Sequence, residues 1–411
     1  MNNPLDARHG VGTRSRGDGQ QRVLISGAGI AGPTLAYWLA RYGMRPTLVE
    51  KAPTLRTGGY VIDFWGAGFD VASRMGLLPD LVRTGYAVRE VRVVDRDGRK
   101  VSGFPAAAFA RAVGSGFTSL PRGDLAAAIY GALGETTETI FGDAITRIDQ
   151  TVDEVQVTFE RHGSRTFDLV VGADGLHSRV RELVFGPEHQ FERYLGIKVA
   201  AFEVEGYRPQ DELVYVMYPQ VGREVSRFSM RNDRTMFLFT FVDPDPRSPF
   251  DLAGQKALLR RRFANSGWEC PQILDALDAT PDLYFDRVSQ IELKPSWANG
   301  RVTLVGDAAF CVSLLGGQGS ALAMTAAYIL AGELHRAEGR HQIAFARYQQ
   351  LFGPFVSMKQ RAARRFAGAF APKSALSLFF RNSLFRLFSI GWIANLIAGR
   401  EFSDRIALPD Y

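Results

Sequence analysis

The tightest constraint on this chain is a glycine loop set between a strand and a helix near its start. Val23-Leu24-Ile25-Ser26 is an uncharged aliphatic run, as a strand buried on both faces requires. It leads into Gly27-Ala28-Gly29-Ile30-Ala31-Gly32. In such a loop Gly27 allows the tight turn, Gly29 lets the backbone approach a pyrophosphate, and Gly32 lets the next helix pack on the strand. From Pro33 to Tyr42, Leu35, Leu39 and Tyr42 recur at helical spacing. The N–H groups at that helix start would hold a pyrophosphate at the positive end of the helix dipole. A second strand, Pro46 to Val49, ends in Glu50, eighteen residues past Gly32, followed by Lys51. An acid there accepts hydrogen bonds from an adenosine ribose that has no 2′-phosphate, which selects FAD or NAD over NADP. The glycine pattern alone arises by chance in a chain with 42 glycines. The strand before it, the helix after it and the acid beyond make it a dinucleotide site.

Length and composition bound the rest. At 411 residues the chain suggests two coupled domains, and a hydrophobic fraction of 46% is ordinary for a globular enzyme. Cys270 and Cys311 are far apart and show no metal-type spacing, so neither zinc nor a disulfide is indicated and a cytoplasmic protein is expected. The net charge of +6 is spread out, with small clusters at Arg260-Arg261-Arg262 and around Arg361, Arg364 and Arg365. Solvated helix faces explain these better than nucleic acid, since no aromatic-interleaved groove accompanies them. Residues 1–21 are polar and lack the apolar core of a signal peptide, so a disordered tail is expected. No run reaches eighteen uncharged apolar residues, so no membrane span is expected.

The pattern along the chain predicts an α/β fold. A Rossmann-like dinucleotide domain takes residues 22–185 and 298–335, an antiparallel sheet over 186–297 is inserted into it with part of 60–120 contributing, and 336–411 is helical. Asp124, in Pro121-Arg122-Gly123-Asp124, is a candidate N-cap of an Ala/Leu helix. Runs at Lys198–Glu205, Glu212–Tyr218, Glu224–Met230 and Thr235–Val242 read as one antiparallel sheet. Its Phe202, Tyr215, Tyr218, Phe228, Phe237 and Phe239 could wall a flat apolar ligand, although core packing explains most of them. The apolar stretch from Leu376 to Ile397 is read as a helix packed over the sheet domain or at a dimer contact, with a membrane-surface helix as the second reading.

Two further motifs follow in order: Asp174-Gly175, and Gly306-Asp307-Ala308-Ala309 followed by Gly317-Gln318-Gly319-Ser320 at the start of a long helix. With the N-terminal loop, they make the chain resemble the single-component, FAD-dependent aromatic hydroxylases of the p-hydroxybenzoate hydroxylase fold, relatives of the tetracycline-inactivating monooxygenases, from about Arg22 to Leu334. The resemblance implies that FAD is the bound cofactor and NAD(P)H a transient co-substrate. It implies transfer of oxygen from O₂, through a flavin C4a-hydroperoxide, to an aromatic or polyketide-like small molecule, in a monomer or homodimer. The alternative is an oxidase or dehydrogenase on the same fold without oxygen transfer. By the same resemblance, Glu50 holds the adenosine ribose, and Arg122 lies near the ribityl chain and diphosphate. Asp307 holds the ribityl chain, Asp63 helps to position the flavin, and Arg56 is tied to nicotinamide binding. Asp174 reads equally well as turn chemistry. The helix beginning near Gly317 would turn its positive end toward the flavin pyrimidine edge, where reduced flavin carries negative charge. No side chain is expected to be a dedicated catalyst, because the cofactor carries the chemistry. His177 is read as structural. Phe310 and Leu314 stand where the family usually has His and Pro.

Overall fold

The computed structural model describes residues 20–55, 60–113, 116–134, 137–207, 211–249, 251–314, 317–370, 372, 374–388 and 406–411. Arg56 and most of the polar tail therefore lie outside the described residues. A six-stranded sheet forms the first layer, in the order Ala298–Asn299, Val302–Leu304, Leu169–Gly172, Arg22–Ser26, Arg45–Glu50 and Glu138–Phe141. All its pairings are parallel except the first. The three central strands are largely buried, in one core that also takes in Ile145, Val155, Val157, Phe159 and Phe167. The helix Ala31–Arg41 and the almost fully buried helix Gly319–Arg336 pack together on this sheet. The meander of Ile145–Gln150, Val155–Phe159 and Ser164–Phe167 leads back to the sheet at Leu169.

The second layer is a seven-stranded sheet, ordered Tyr284–Ile291, Glu192–Glu205, Arg234–Val242, Arg223–Ser229, Val214–Gln220, Glu90–Val94 and Lys100–Pro105. Its pairings are antiparallel except that of Val214–Gln220 with Glu90–Val94, which is parallel. Residues from before and after the dinucleotide crossover thus share one sheet. A separate two-stranded antiparallel sheet, Val61–Trp65 with Phe117–Pro121, touches the second layer where Val61 N–H lies 3.1 Å from Met236 Sδ.

Strand alternation divides the aromatic side chains of this sheet between its two faces, and most of them are core. Phe202, Tyr218, Phe237 and Phe239 point to one face and pack with Leu258, Leu259 and Phe263 of the helix Leu252–Phe263 and with Ile273 and Leu277 of Cys270–Ala279. Only Phe228 and Tyr215 lie on the other face, with Met230, Met236, Tyr86 and Tyr60. Side chains two apart share a face, so residues on different strands of a run face opposite ways unless the register aligns them. Asp124 is corrected as an N-cap. The helix Arg122–Gly131 starts three residues earlier than an Asp124 cap would give, with Pro121 at the cap position, and Asp124 sits in its first turn. There its charge still favours the helix dipole.

After the helix His341–Phe370, the helix Ala375–Phe388 lies along the edge strand Lys100–Pro105. Residues 406–411 are not helical, a departure from the all-helical reading of this region. They return to the first layer, where Tyr411 packs on Gly332 and donates to Glu333 Oε1 at 2.9 Å.

Candidate active site

Gly27 to Gly32 form a loop that tolerates no side chains at its tight points. Gly27 has φ +107, and a Cβ on Gly32 would stand 1.9 Å from the Gly27 carbonyl oxygen. Gly27 N–H donates to Val49 at 2.7 Å, and Ala28 N–H donates to Glu50 Oε2 at 2.9 Å. The other Glu50 oxygen, Oε1, accepts from Ala52 N–H at 2.9 Å. Glu50 therefore fixes the loop, and each of its oxygens keeps a second lone pair for a ligand hydroxyl. The helix Ala31–Arg41 has Ile30 at its N-cap, no side-chain cap and no acid in its first turn. Its leading N–H groups, at Ala31 and Gly32, lack intrahelical acceptors and suit an anion. Lys51 is exposed just past Glu50.

The late motif meets the early one. A Cβ on Gly306 would lie 3.2 Å from Ala31 Cβ, and a Cβ on Gly29 would lie 3.5 Å from Arg122 Nη2. Arg122 N–H donates to Tyr60 O at 3.1 Å, and its charge reaches both Tyr60 and Asp307. Burial pushes the Asp307 carboxyl above its usual range, opposed by Arg122 and by a hydrogen bond with the Cys311 thiol. Asp63 keeps its side chain open to water, yet enough protein surrounds it for burial to raise its pKa; Ser119 Oγ donates to it at 2.5 Å. The Tyr60 and Tyr284 rings stand 5.6 Å apart beside these groups, and burial pushes the Tyr60 hydroxyl up to about 12. Gly317 packs against Trp65 at the mouth of the helix Gly319–Arg336, with Gln318 buried and Ser320 half-buried.

Asp174 lies against Gly27, whose added Cβ would meet Asp174 Cα at 2.9 Å. Its carboxylate accepts from Ser178 Oγ at 2.5 Å, Arg179 N–H at 2.8 Å and Val180 N–H at 3.1 Å. The side chain is thus taken up by the start of the helix Arg179–Phe185, as turn chemistry demands. His177 bridges Glu188 and Asp286. Sequence reasoning missed Arg181, which is fully buried and joins two motifs. Its guanidinium donates to Ala308 O at 3.0 Å, Leu176 O at 2.6 Å and Glu188 Oε2 at 2.9 Å. A charged residue six places after the Asp174-Gly175 turn gives no hint of such burial. Tyr60, Ser119, Tyr284 and Cys311 were missed too, and only Tyr60, beside the Gly-Gly loop, carried any local cue.

Phe310 and Leu314 fill apolar space. Phe310 packs on Trp297 and Phe352, with ring centroids 4.9 and 5.4 Å away, and Leu314 packs beside Ile197 and Val199.

Residues 20–342 match the family model described as an FAD binding domain. An uncharacterized protein of Mycobacterium tuberculosis is 42% identical over 347 residues, covering 82% of this chain and 91% of that protein. A flavin-dependent monooxygenase from an unknown prokaryotic organism is 36% identical, covering 83% of this chain and 88% of that enzyme. This chain belongs to the flavin-dependent monooxygenase family. The crystal structure of the tetracycline destructase Tet(55) superposes with a TM-score of 0.82 at 33% identity, over 95% of this chain and 99% of that one. The protein is accordingly an FAD-binding enzyme of the aromatic hydroxylase fold. No helix among the described residues is long and apolar enough to cross a membrane, and no group of described side chains could hold a metal ion.

Proposed function

We propose that this monooxygenase consumes NAD(P)H and O₂ and places one oxygen atom on an electron-rich aromatic or polyketide-like small molecule. FAD, when bound, supplies the redox and oxygen chemistry. The residues present fit it. The open N–H groups at Ala31 and Gly32 suit the diphosphate, with Arg122 beside them, and the free lone pairs of Glu50 suit the adenosine ribose. The Asp307 carboxylate suits the ribityl hydroxyls, and the helix start at Gly317, Gln318, Gly319 and Ser320 suits the pyrimidine edge. Asp63, hydrogen-bonded to Ser119, would help to position the ring system. The Tyr60 hydroxyl, whose pKa burial raises to about 12, stays protonated and is available as a donor and not as a base.

The observation that carries the substrate class is the face of the second sheet turned toward these groups. Phe228, Met230 and Met236 make it apolar next to Tyr60 and Tyr215, with the Asp63–Ser119 pair as its polar edge. Such a face excludes water and favours a flat ring system bearing a few oxygens. The likeness to a tetracycline destructase supports fused rings with phenol and ketone groups. Anaerobic reduction by NADH and by NADPH tests the reading. A matching phenolic or polyketide ligand is expected to speed flavin reduction, whereas no reduction by either nucleotide in the presence of any ligand would overturn the co-substrate.

A further inference from the structure

The helix Ala375–Phe388 is held to the second sheet along one side. Arg381 Nη1 stands 2.7 Å from Glu224 Oε2, with both side chains buried. Ser102 Oγ donates to Asn382 O at 2.6 Å, and the Phe385 ring meets the Phe104 ring edge-on, with centroids 5.4 Å apart. Arg381 and Phe385 are four residues apart, so they share one face, and that face is taken up by the protein.

A helix packed on one side ordinarily turns polar residues outward, and this one does not. Leu376, Phe380 and Leu384 recur every fourth residue with Phe379 beside them, and all four are exposed. Leu376, Phe379 and Phe380 are 65%, 64% and 63% exposed, and among the described residues Val152 is the only large apolar residue more exposed than they are. Single exposed apolar side chains are ordinary on a protein surface; a stripe of four on one helix marks a contact face.

The charge around the stripe decides what covers it. From His341 to Arg400 the chain has nine lysines and arginines and no aspartate or glutamate. The whole chain has a net charge of +6, so all the residues outside this stretch are together net negative. Part of the positive charge is spent, since Arg364 pairs with Glu292 and Arg381 with Glu224. Arg361 and Arg365, one turn apart on the preceding helix His341–Phe370, are exposed. Arg386 is exposed too, seven residues after Phe379 and so on the same side of its helix. A second copy of the chain fits such a face poorly, because an isologous contact would set one acid-free region against another. Leucine and phenylalanine in a stripe, with arginines and no acids around them, suit the boundary between lipid headgroups and acyl chains. We infer that the helix Ala375–Phe388 docks this protein on an anionic membrane surface, with Leu376, Phe379, Phe380 and Leu384 set into the lipid and the exposed arginines among its phosphates.

The test sediments the flavin-loaded protein with vesicles of phosphatidylcholine alone and with vesicles that are half phosphatidylglycerol. Saturable binding to the anionic vesicles, much weaker on the neutral ones and reversed by salt, is expected. Phe379→Ser/Phe380→Ser should weaken binding roughly tenfold or more by removing the inserted rings. Arg361→Gln/Arg365→Gln should weaken it roughly tenfold by removing two charges near the surface. Both double variants should keep the wild-type flavin spectrum and melting temperature, because the altered side chains are exposed. Binding that ignores either double variant, or that is equal on the two kinds of vesicle, would overturn the inference. An absence of binding to both would overturn it as well; a protein that then elutes as a dimer, split by Phe379→Ser/Phe380→Ser, would give the stripe to a second copy.

Discussion

Glu50 Oε2 accepts the Ala28 N–H at 2.9 Å, so the acid that closes the second strand also holds the glycine loop in shape. In the proposed site two jobs would meet in one carboxylate: it fixes the backbone of the glycine loop, and it would offer lone pairs to the ribose. Charge-assisted hydrogen bonds of this kind contribute about 1.5–3 kcal/mol each. Glu50→Ala should therefore weaken FAD binding by roughly ten- to a hundredfold, read by titrating apoprotein with FAD. Glu50→Gln should recover only part of the loss, since one amide oxygen cannot serve both Ala28 and Ala52. Full affinity in Glu50→Ala would remove this residue from the site.

Asp307 carries a cost that the cofactor is expected to offset. Burial raises its pKa, so the folded apoprotein holds its proton more tightly than the unfolded chain does. Stability of the apoprotein then falls as pH rises from the ordinary carboxylate range through the raised folded value. Asp307→Asn should accordingly give an apoprotein that melts higher than wild type at neutral pH, with the gap closing in acid. The same variant should retain FAD less well. Thermal melts of both apoproteins across pH, with FAD titrations, decide this. A variant that loses stability at neutral pH and keeps full affinity would contradict it.

His177 gives a pH dependence of the opposite origin. Hydrogen bonds to Asp286 and then Glu188 raise its pKa from 6.5 to about 9. A raised folded pKa means the contribution is fully present below 6.5 and is lost as pH climbs through about 9. The side chain is half exposed, so the effect is modest. His177→Asn should be less stable than wild type near pH 6 and equal to it above about 9.5, as measured by denaturant unfolding across that window. A constant difference at every pH would show that packing, not protonation, is what His177 supplies.

The N-terminal loop was legible in the sequence because its chemistry is local. Gly27, Gly32 and Glu50 sit within one strand–helix–strand unit, and each is required by backbone geometry that neighbours in sequence dictate. The register of the second sheet was not legible. The helix Cys270–Ala279, the strand Tyr284–Ile291 and the parallel joining of Glu90–Val94 to Val214–Gln220 depend on partners far along the chain. The same holds for Arg92, Arg227 and Arg181, which read as surface charges until the fold brings Asp211, Glu269 and Glu188 to them. Asp63 and Arg122 were singled out by resemblance; physical grounds for them emerge only when the strand Val61–Trp65 pairs with Phe117–Pro121 and Arg122 reaches Gly29.

The C-terminal helix Ala375–Phe388 is fastened by a buried pair, Arg381 Nη1 at 2.7 Å from Glu224 Oε2. Removing one partner of a buried pair costs about 3–5 kcal/mol, because a charge is left behind without its counterpart. Arg381→Met should expose the edge strand Lys100–Pro105 to hydrogen exchange, since the helix covers that strand. The double variant Arg381→Met/Glu224→Gln should restore much of the protection. If the single variant exchanges like wild type, the pair does not hold the helix.

The central claim is oxygen transfer, and turnover under ¹⁸O₂ tests it most directly. With NAD(P)H and a substrate that speeds flavin reduction, mass spectrometry of the product should show one ¹⁸O atom, and H₂O₂ release should fall as product rises. A product without label, with all the electrons recovered as H₂O₂, would contradict the account and make this protein an oxidase on a monooxygenase fold.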